Sequence, residues 1–348
     1  MNRRIFTRHL GLGAFLPVLG KGGSFFPNPA TPPSLVKPPR LKPGDKVGLI
    51  TPGSFIPDRT LEKAVANIRN LGFEVVLGKH IRAKRGYIAG TDQQRLDDLH
   101  TAFANPDIRA VWCARGGYGC TRLLPDIEYE LIAKNPKVLI GYSDITALHL
   151  AIHQQTGLVT FHGPVGGSDF TSYTASHVKA VLMDGAAPHV IQMLSDHGEV
   201  KNPDLYKSQV LRPGRVKGPL TGGNLSLLAA MAGTGFGLNA AGKLIFMEDI
   251  DEKPYRVDRM LTQLRQSANL DQAAAFALGI FAGCVPEPGD ESLTLAETVA
   301  DRLSDLGRPA VYGLTFGHIA NQCTLPMGIQ AELDTDSFTL TLLEAGVE

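Results

Sequence analysis

The stretch Val138 to Gln155, VLIGYSDITALHLAIHQQ, joins two sequence patterns at one abrupt turn. Val138 to Ile140 is a continuous apolar run, which is typical of a strand buried in a parallel sheet. Ile145 to Gln155 carries its apolar residues at helical spacing. A strand that runs into a helix through Gly141-Tyr142-Ser143-Asp144 is half of a β-α-β unit. The stretch therefore predicts an α/β fold with a parallel sheet.

The same alternation of short apolar runs and helical patterns continues on both sides of this turn. We predict strands at Val47 to Ile50, Phe73 to Leu77, Ile108 to Ala114, Leu244 to Met247 and Phe276 to Phe281, and helices at Leu61 to Leu71, Asp92 to Phe103, Leu225 to Ala232 and Tyr255 to Ser267. The end of the chain differs, because Ile329 to Leu333 and Phe338 to Leu343 flank a turn-forming tetrapeptide. These two runs predict an antiparallel hairpin.

The length of 348 residues predicts two domains, since single cores stop growing at roughly 250–300 residues. Asp184 to Gly214 is polar, irregular and rich in proline and glycine, as interdomain segments commonly are. We therefore place an N-terminal α/β domain at residues 44–183, a linker at 184–214 and a C-terminal domain at 215–348.

Residues 1–43 read as an export signal followed by a linker. Arg3 and Arg4 precede Phe6 and the weakly apolar run Leu10 to Leu19, a combination typical of twin-arginine signals. The apolar run has about half the length that a bilayer span needs, so we expect no stable membrane anchor. Pro27 to Pro43 follows as a proline-rich linker. The prediction is a protein exported by the twin-arginine route, in the periplasm or beyond.

The charge balance narrows the range of partners. Thirty-four basic residues face 34 acidic ones, and this zero net charge argues against nucleic acid, which binds to basic surfaces. A small polar substrate fits better, and a two-fold homodimer is the default expectation for assembly. The four cysteines form no C-x-x-C pair, so we expect free and mostly buried thiols.

Ser143 lies at the corner between the predicted strand and helix, as the nucleophile does in a nucleophile elbow. Such a turn lifts the hydroxyl clear of the sheet and aims the N–H of Asp144 at a developing oxyanion. The chain departs from the full G-x-S-x-G pattern, because Ile145 stands where the last glycine would be. Taken alone, a serine at this place is more commonly a helix N-cap.

Glu248 follows the predicted strand Leu244 to Met247, and His318 follows a further predicted strand that begins at Val311. A carboxylate at the end of Leu244 to Met247 could orient an imidazole, although an acidic run more often faces solvent. A lone histidine is more often structural than a base. However, serine, acid and histidine occur here in the chain order of α/β-hydrolases, each at a strand end.

The loop Arg115-Gly116-Gly117-Tyr118-Gly119 could supply the second oxyanion donor, because adjacent glycines let a backbone N–H approach a substrate oxygen. A phosphate cradle would need a Lys-Ser/Thr pair that does not follow, and a tight turn without function stays open. Cys120 is an alternative thiol nucleophile, but no strand-to-helix elbow contains it. His149 and His153 lie four residues apart on one helix, yet no third metal ligand accompanies them, so we expect neither metal nor cofactor.

Several further blocks occur in the order found in one known family. They are Gly44 to Val47, Arg115 to Gly119, Ile140 to Thr146, Thr160 to Pro164, Gly218 to Asn224, Phe246 to Asp249 and Phe316 to His318. With them the chain resembles the LD-carboxypeptidase family of serine peptidases, which includes the microcin-immunity peptidases. The resemblance covers nearly the whole chain after the export signal.

The resemblance implies a flavodoxin-like N-terminal domain, a smaller β-rich C-terminal domain and an active site in the cleft between them. It implies Ser143 as nucleophile, Glu248 and His318 as its triad partners, and Gly117 with Asp144 as the oxyanion hole. Members of this type that recycle peptidoglycan are usually cytoplasmic, so the export signal is a departure.

The implied reaction removes the terminal D-alanine from murein tetrapeptide without a cofactor. The free carboxylate of such a substrate needs a cation, and Arg115 is the candidate beside the glycine loop. Three alternatives remain: an exported protein that binds murein peptide without cutting it, a glutaminase-like amidase that uses Cys120, and a peptidase acting on another peptide such as a microcin-like antibiotic.

Overall fold

The computed structural model of the protein describes residues 33–192, 194 and 207–348. In this part of the chain the strands are β1 (Lys46–Ile50), β2 (Glu74–Leu77), β3 (Ile108–Cys113), β4 (Val138–Gly141), β5 (Phe161–His162), β6 (His189–Gln192), β7 (Gln209–Arg212), β8 (Arg215–Asn224), β9 (Leu244–Ile250), β10 (Ala275–Ala282), β11 (Ala310–Gly317), β12 (Leu325–Pro326), β13 (Gln330–Asp334) and β14 (Thr339–Leu342). The α-helices are α1 (Asp58–Asn70), α2 (Asp92–Ala104), α3 (Tyr129–Lys134), α4 (Thr146–Thr156), α5 (Ser172–Lys179), α6 (Leu225–Ala230), α7 (Pro254–Ser267) and α8 (Leu295–Leu303).

The first sheet has the strand order β12-β5-β4-β3-β1-β2. Strands β1 to β5 are parallel to one another, which confirms the α/β prediction. Their order β2-β1-β3-β4-β5 is that of flavodoxin-like sheets. Every residue of β4 is buried, and this explains why its sequence is unbroken by polar residues.

The second sheet has the order β6-β14-β13-β8-β9-β10-β11-β7. Its centre, β8 to β11, is parallel, and antiparallel strands complete both edges. The predicted terminal hairpin is confirmed as β13 and β14. The carboxyl ends of β8, β9 and β11 therefore meet at one edge of the sheet, where ligands of parallel sheets commonly bind.

The segment at residues 184–214 contributes strands at both of its ends. β6 pairs with β14 and β7 pairs with β11, so the two strands lie on opposite edges of the second sheet. Both strands have only four residues, with two apolar residues between polar ends, which is too short a run to stand out from a loop in the sequence. In the other direction, β12 returns from the second half of the chain to pair with β5 in the first sheet.

Other elements were not indicated by the sequence patterns. Helix α3 has six residues and α5 has eight, so both are shorter than the window of about 11–18 residues over which helical spacing is recognised. Helix α8 begins at a capping box formed by Thr294 and Glu297, which follows a polar loop. The elements that were predicted begin and end within a few residues of the observed ones.

The predicted twin-arginine sequence lies outside the described residues, but the last part of the predicted linker can be traced. Val36 forms a parallel bridge with Leu158, and Leu41 is buried. The N–H of Arg40 donates to the carbonyl of Glu348 at 2.9 Å. The last part of the predicted linker therefore packs against the folded chain. Within the described ranges, no helix has the length and apolar character needed to cross a bilayer.

Gly222 allows β8 to lie close to β9, and we expect it to be irreplaceable. Its φ is +147°, and a Cβ there would overlap the carbonyl oxygen of Phe246. Gly222→Ala should lower the free energy of unfolding by roughly 2–5 kcal/mol, from overpacking and a disfavoured φ. The measurement is urea denaturation followed by circular dichroism.

Gly242→Ala is the matched control. Gly242 also has a positive φ, +70°, but nothing lies within 4 Å of the added carbon. Gly242→Ala should lower the free energy of unfolding by only about 1–2 kcal/mol, because the backbone conformation alone is disfavoured. Equal losses in the two variants would contradict the steric argument.

Candidate active site

Ser143 occupies a strained turn at the end of β4. Its φ is +65°, a backbone conformation that residues other than glycine seldom adopt. Tyr142 before it is extended, and a 3₁₀ turn over Ser143–Ile145 leads directly into α4. Tyr142 and Ile145, not Ser143, occupy the N-cap positions of these two helical segments. The turn is therefore an elbow that presents a serine, and the N-cap interpretation does not describe it.

Small residues around the elbow make this conformation fit. A Cβ on Gly116 would lie 2.9 Å from the Cβ of Ser143. A Cβ on Gly141 would lie 2.9 Å from Cγ1 of Ile145. Ile145, which replaces the usual last glycine of an elbow, thus fills the space that Gly141 leaves open. The lack of a glycine at Ile145 is therefore compensated by the glycine at Gly141.

Glu248 and His318 form a close pair. Nδ1 of His318 lies 2.7 Å from Oε2 of Glu248, and Glu248 is 0% exposed. Glu248 is on β9 and His318 directly follows β11, so β10 lies between the two strands. Gly317 allows the approach, since a Cβ at its φ of +119° would lie 3.2 Å from the Cβ of Glu248.

The charges of this pair support each other. Burial lowers the pKa of His318, but the charge and hydrogen bond of Glu248, together with the charges of Asp249 and Asp251, outweigh burial, so the net pKa is raised. Burial likewise raises the pKa of Glu248, while His318 lowers it to a net value below its usual range. The carboxylate is therefore ionised and fixes the Nδ1 proton of the imidazole. Nε2 is left as the nitrogen that can exchange a proton.

Contacts between the two sheets bring the elbow and this pair to one region. The ring of Tyr142 packs edge-on against the ring of His318, with centroids 4.8 Å apart. The N–H of Asn224 at the end of β8 donates to Oγ1 of Thr146 at 3.0 Å. Asn224 is also the register partner of Glu248. Tyr142 thus contacts His318 itself, and Thr146 contacts the strand that pairs with β9 at Glu248.

The glycine loop lies against the elbow. A Cβ on Gly116 would lie 3.1 Å from the backbone nitrogen of Asp144. Gly117 has a φ of +93°, and any side chain there would overlap Ser54. Within the part of the chain that the structure describes, no hydrogen bond from the N–H of Gly117 or of Asp144 is formed. Two unpaired donors beside a serine can stabilise an oxyanion.

Arg115 begins this loop and is exposed. Its Nη1 donates to the carbonyl of Phe55 at 3.2 Å, which holds the guanidinium near the turn after β1. The planar guanidinium has further donors on its other nitrogens. A cation of this kind can bind an anionic group next to the glycine loop.

The two histidines on α4 bond to separate backbone groups. Nε2 of His149 lies 2.8 Å from the carbonyl of Gly141, and Nδ1 of His153 lies 3.0 Å from that of Leu158. Burial lowers the pKa of His149 to about 3, so this ring is neutral. Its hydrogen bond supports the end of β4 immediately before the elbow. No group of three potential metal ligands occurs among the described residues.

Cys120 is an unreactive thiol in this environment. It is fully buried, and burial together with the carboxylate of Asp144 raises its pKa well above the usual range. All four cysteines are free and buried, which confirms that prediction.

Other site residues were missed or misread in the sequence. Asp249 reads as part of a solvated acidic run, yet it is buried and accepts bonds from the N–H and hydroxyl of Ser226. Burial and the neighbouring Glu248 raise the pKa of Asp249 to about 6. Tyr142 and Asn224 gave no chemical signal of their own, although both stand in motif blocks. Their roles are contacts with residues that are distant in sequence, which only the folded structure reveals.

The pair predicts a specific titration. In Glu248→Gln the pKa of His318 should fall, because burial then acts without the largest contribution that opposes it. The neutral imidazole would persist to lower pH than in the parent protein. NMR titration of the Cε1–H signal of His318 measures this.

The control for that titration is Glu332→Gln. Glu332 pairs with Arg215 at the far end of β8, so this change removes a carboxylate without touching His318. The His318 titration should then match the parent protein. A His318 pKa that stays in place in Glu248→Gln would contradict the assigned coupling.

The burial of the thiols predicts that they react slowly with an alkylating reagent. Iodoacetamide at pH 8 should modify Cys120 in the folded protein more than about 100-fold more slowly than in the urea-unfolded chain, because its thiolate is scarce and inaccessible. Mass spectrometry of digests gives the rate for each cysteine. Rapid stoichiometric labelling of folded Cys120 would contradict the expectation and revive the thiol nucleophile.

Comparison with known proteins gives the family. The LD-carboxypeptidase N-terminal domain matches residues 47–163, and the LD-carboxypeptidase C-terminal domain matches residues 217–333. A Bacillus subtilis (strain 168) protein named "Probable murein peptide carboxypeptidase" is 41% identical over 89% of this chain and 95% of its own. The muramoyltetrapeptide carboxypeptidase structure from Oxalobacter formigenes is 32% identical, with TM-score 0.73 over 85% of this chain and 97% of that one. The microcin C7 self immunity protein MccF, 24% identical, shares the fold at TM-score 0.81 over 90% of this chain and 100% of that one. The chain belongs to the LD-carboxypeptidase family.

Proposed function

We propose that the protein is a serine LD-carboxypeptidase that removes the terminal D-alanine from murein tetrapeptide, with Ser143 as nucleophile, His318 as base and Glu248 as the orienting acid. The observation that carries the proposal is the 2.7 Å bond between His318 and Glu248, in a region that also contains the serine elbow. Family membership supports the reaction class. One relative named for murein peptide and one structure named for muramoyltetrapeptide support the substrate.

The reaction would proceed by acyl transfer. Nε2 of His318 takes the proton of the Ser143 hydroxyl as the oxygen attacks the carbonyl carbon of the scissile amide. The tetrahedral intermediate collapses, and His318 returns the proton to the departing amine of D-alanine. Water then attacks the acyl-serine ester by the same route and restores Ser143. The positioned base contributes about 10²–10⁴-fold to the rate.

The N–H groups of Gly117 and Asp144 would bind the oxyanion. Each such donor is worth roughly 3 kcal/mol in the transition state when it is fixed beforehand. Ser143 and Gly117 both have a positive φ, a backbone conformation that a regular helix start would not have. No cofactor takes part in any step.

The substrate would lie in a cleft between the two sheets. One wall is the glycine loop with the elbow, and the other is formed by the carboxyl ends of β8, β9 and β11. Arg115 stands at the start of the glycine loop, and we assign it the free carboxylate of the terminal residue. A carboxypeptidase needs such a cation, because its substrate differs from an internal peptide by that charge.

The twin-arginine pattern supports export, so we place the enzyme in the periplasm or outside the cell. There it would meet murein peptides released from the wall. We expect neither nucleic acid nor a stable membrane anchor among its partners. A homodimer remains the default assembly.

A second candidate is an exported murein-peptide-binding protein without catalysis. Two domains around a cleft would suit it. A buried carboxylate paired with an imidazole argues against it, since binding alone does not require an oriented base.

Release of D-alanine from purified murein tetrapeptide tests the proposal. The mature protein should yield tripeptide and D-alanine with and without a chelator, and Ser143→Ala should reduce kcat by at least about 10³-fold. Activity should fall as the pH drops through the pKa of His318, which lies above 6.5, because only the neutral imidazole accepts the proton. Ser176→Ala is the matched control, since Ser176 is an exposed serine on α5 whose hydroxyl donates to the carbonyl of Tyr173.

Other outcomes separate the alternatives. Tetrapeptide that is bound and recovered whole would favour the binding protein. Full activity in Ser143→Ala combined with loss on thiol alkylation would favour an amidase using Cys120.

A further inference from the structure

Two buried charged side chains near the elbow have no part in the acyl-transfer steps. Asp144 and Arg95 are each 2% exposed. Burying an ion is costly unless hydrogen bonds and an opposite charge compensate. The groups that compensate these two belong to the glycine loop, to the turn after β1 and, for Arg95, to Asp92 on the same helix.

Asp144 holds the end of the glycine loop. Its Oδ2 accepts a hydrogen bond from the N–H of Cys120 at 2.9 Å. A Cβ on Gly53, in the turn after β1, would lie 2.8 Å from the same oxygen. The residue that offers its backbone N–H to the oxyanion therefore also binds, through its side chain, the loop that carries the other donor.

Arg95 holds the same loop from the opposite side. From α2, its Nη1 donates to the carbonyls of Pro52 at 2.6 Å and Gly119 at 2.9 Å. Its Nη2 pairs with Asp92, which also binds Arg122 at 2.7 Å. One guanidinium thus ties the glycine loop to the turn after β1.

Ser54 completes the set of bonds. Its N–H donates to the carbonyl of Gly116 at 3.0 Å, and its hydroxyl accepts from the N–H of Tyr118 at 3.1 Å. Four backbone groups of the loop are therefore engaged, at Gly116, Tyr118, Gly119 and Cys120. The N–H of Gly117 stays out of this scaffold, between two fixed neighbours.

We propose that the Asp144 carboxylate and the Arg95 guanidinium are positioning residues that hold the glycine loop in register with the elbow, so that the N–H groups of Gly117 and Asp144 converge on one oxyanion. The inference rests on the proposed function. Preorganised donors are effective because they need no rearrangement during the reaction. A displacement of about 1 Å can cost about 10²-fold in rate.

The charges also suit this role. A carboxylate near a developing oxyanion would oppose it, but the Asp144 side chain is turned toward Cys120 and its charge is partly balanced by Arg95. Burial raises the pKa of Asp144, and hydrogen bonds from Cys120 and Gly119 together with Arg95 oppose that rise. The network therefore fixes the loop without adding a free negative charge at the site.

The test compares Asp144→Asn and Arg95→Lys with the control Asp98→Asn. Asp98 is a buried carboxylate on the same helix as Arg95, and both of its oxygens accept from the N–H of His80 at 3.1 Å, away from the glycine loop. For D-alanine release, Asp144→Asn and Arg95→Lys should lower kcat by about 10–100-fold with KM changed less than about threefold. Amide exchange in residues 116–120 should accelerate. Asp98→Asn should lower stability but keep kcat within about threefold.

Several results would overturn the inference. Asp144→Asn and Arg95→Lys with parental kcat would do so, as would an Asp98→Asn loss as large as theirs at equal thermal stability. If Asp144→Asn fails to fold, Arg95→Lys decides alone, because it keeps the buried charge and changes only the fork of hydrogen bonds. The proposed function itself fails in a different way, when the parent protein releases no D-alanine or Ser143→Ala stays active.

Discussion

The site depends on one buried hydrogen-bonded pair, the Glu248 carboxylate and the His318 imidazole. An ionised carboxylate that is 0% exposed would be untenable alone, since its desolvation costs several kcal/mol. The imidazole 2.7 Å away compensates that cost and in return receives a fixed tautomer. For this to happen, the ends of β9 and β11 must align across β10, and Gly317 must lack a side chain. The parallel centre of the second sheet supplies that alignment.

The first sheet carries the serine elbow, whose geometry depends on two residues without side chains. Gly141 leaves room for Ile145, and Gly116 leaves room for Ser143. Asn224 and Thr146 then join the two sheets directly beside the elbow. A serine on one sheet and an acid–base pair on the other can only be assembled when such contacts fix the sheets relative to each other. This explains why the residues around the site are so often glycine or small polar groups.

The sequence was sufficient where one local pattern decides the outcome. Val138 to Gln155 predicted both the buried strand and the turn at Ser143, because apolar runs and helical spacing are local properties. It was insufficient for β6 and β7, whose strand character comes from pairing with β14 and β11. The roles of Arg95 and Asn224 were likewise invisible, because each depends on backbone groups that are distant in sequence. Glu248, Ser143 and His318 could be singled out only as a set, in their chain order and at strand ends.

The adjacent carboxylates Glu248 and Asp249 on β9 show what the fold adds to a prediction from sequence. Successive side chains of a strand point to opposite faces, so Glu248 and Asp249 cannot share one environment. Glu248 turns to His318, which outweighs burial and lowers the pKa of Glu248. Asp249 turns to Ser226 on α6, and burial together with Glu248 raises the pKa of Asp249 to about 6. Alternation alone predicts that the two differ, but not which of them meets the imidazole. That choice is made by the register of β9 against β8 and by the position of the residue that follows β11, both of which are long-range properties of the sheet.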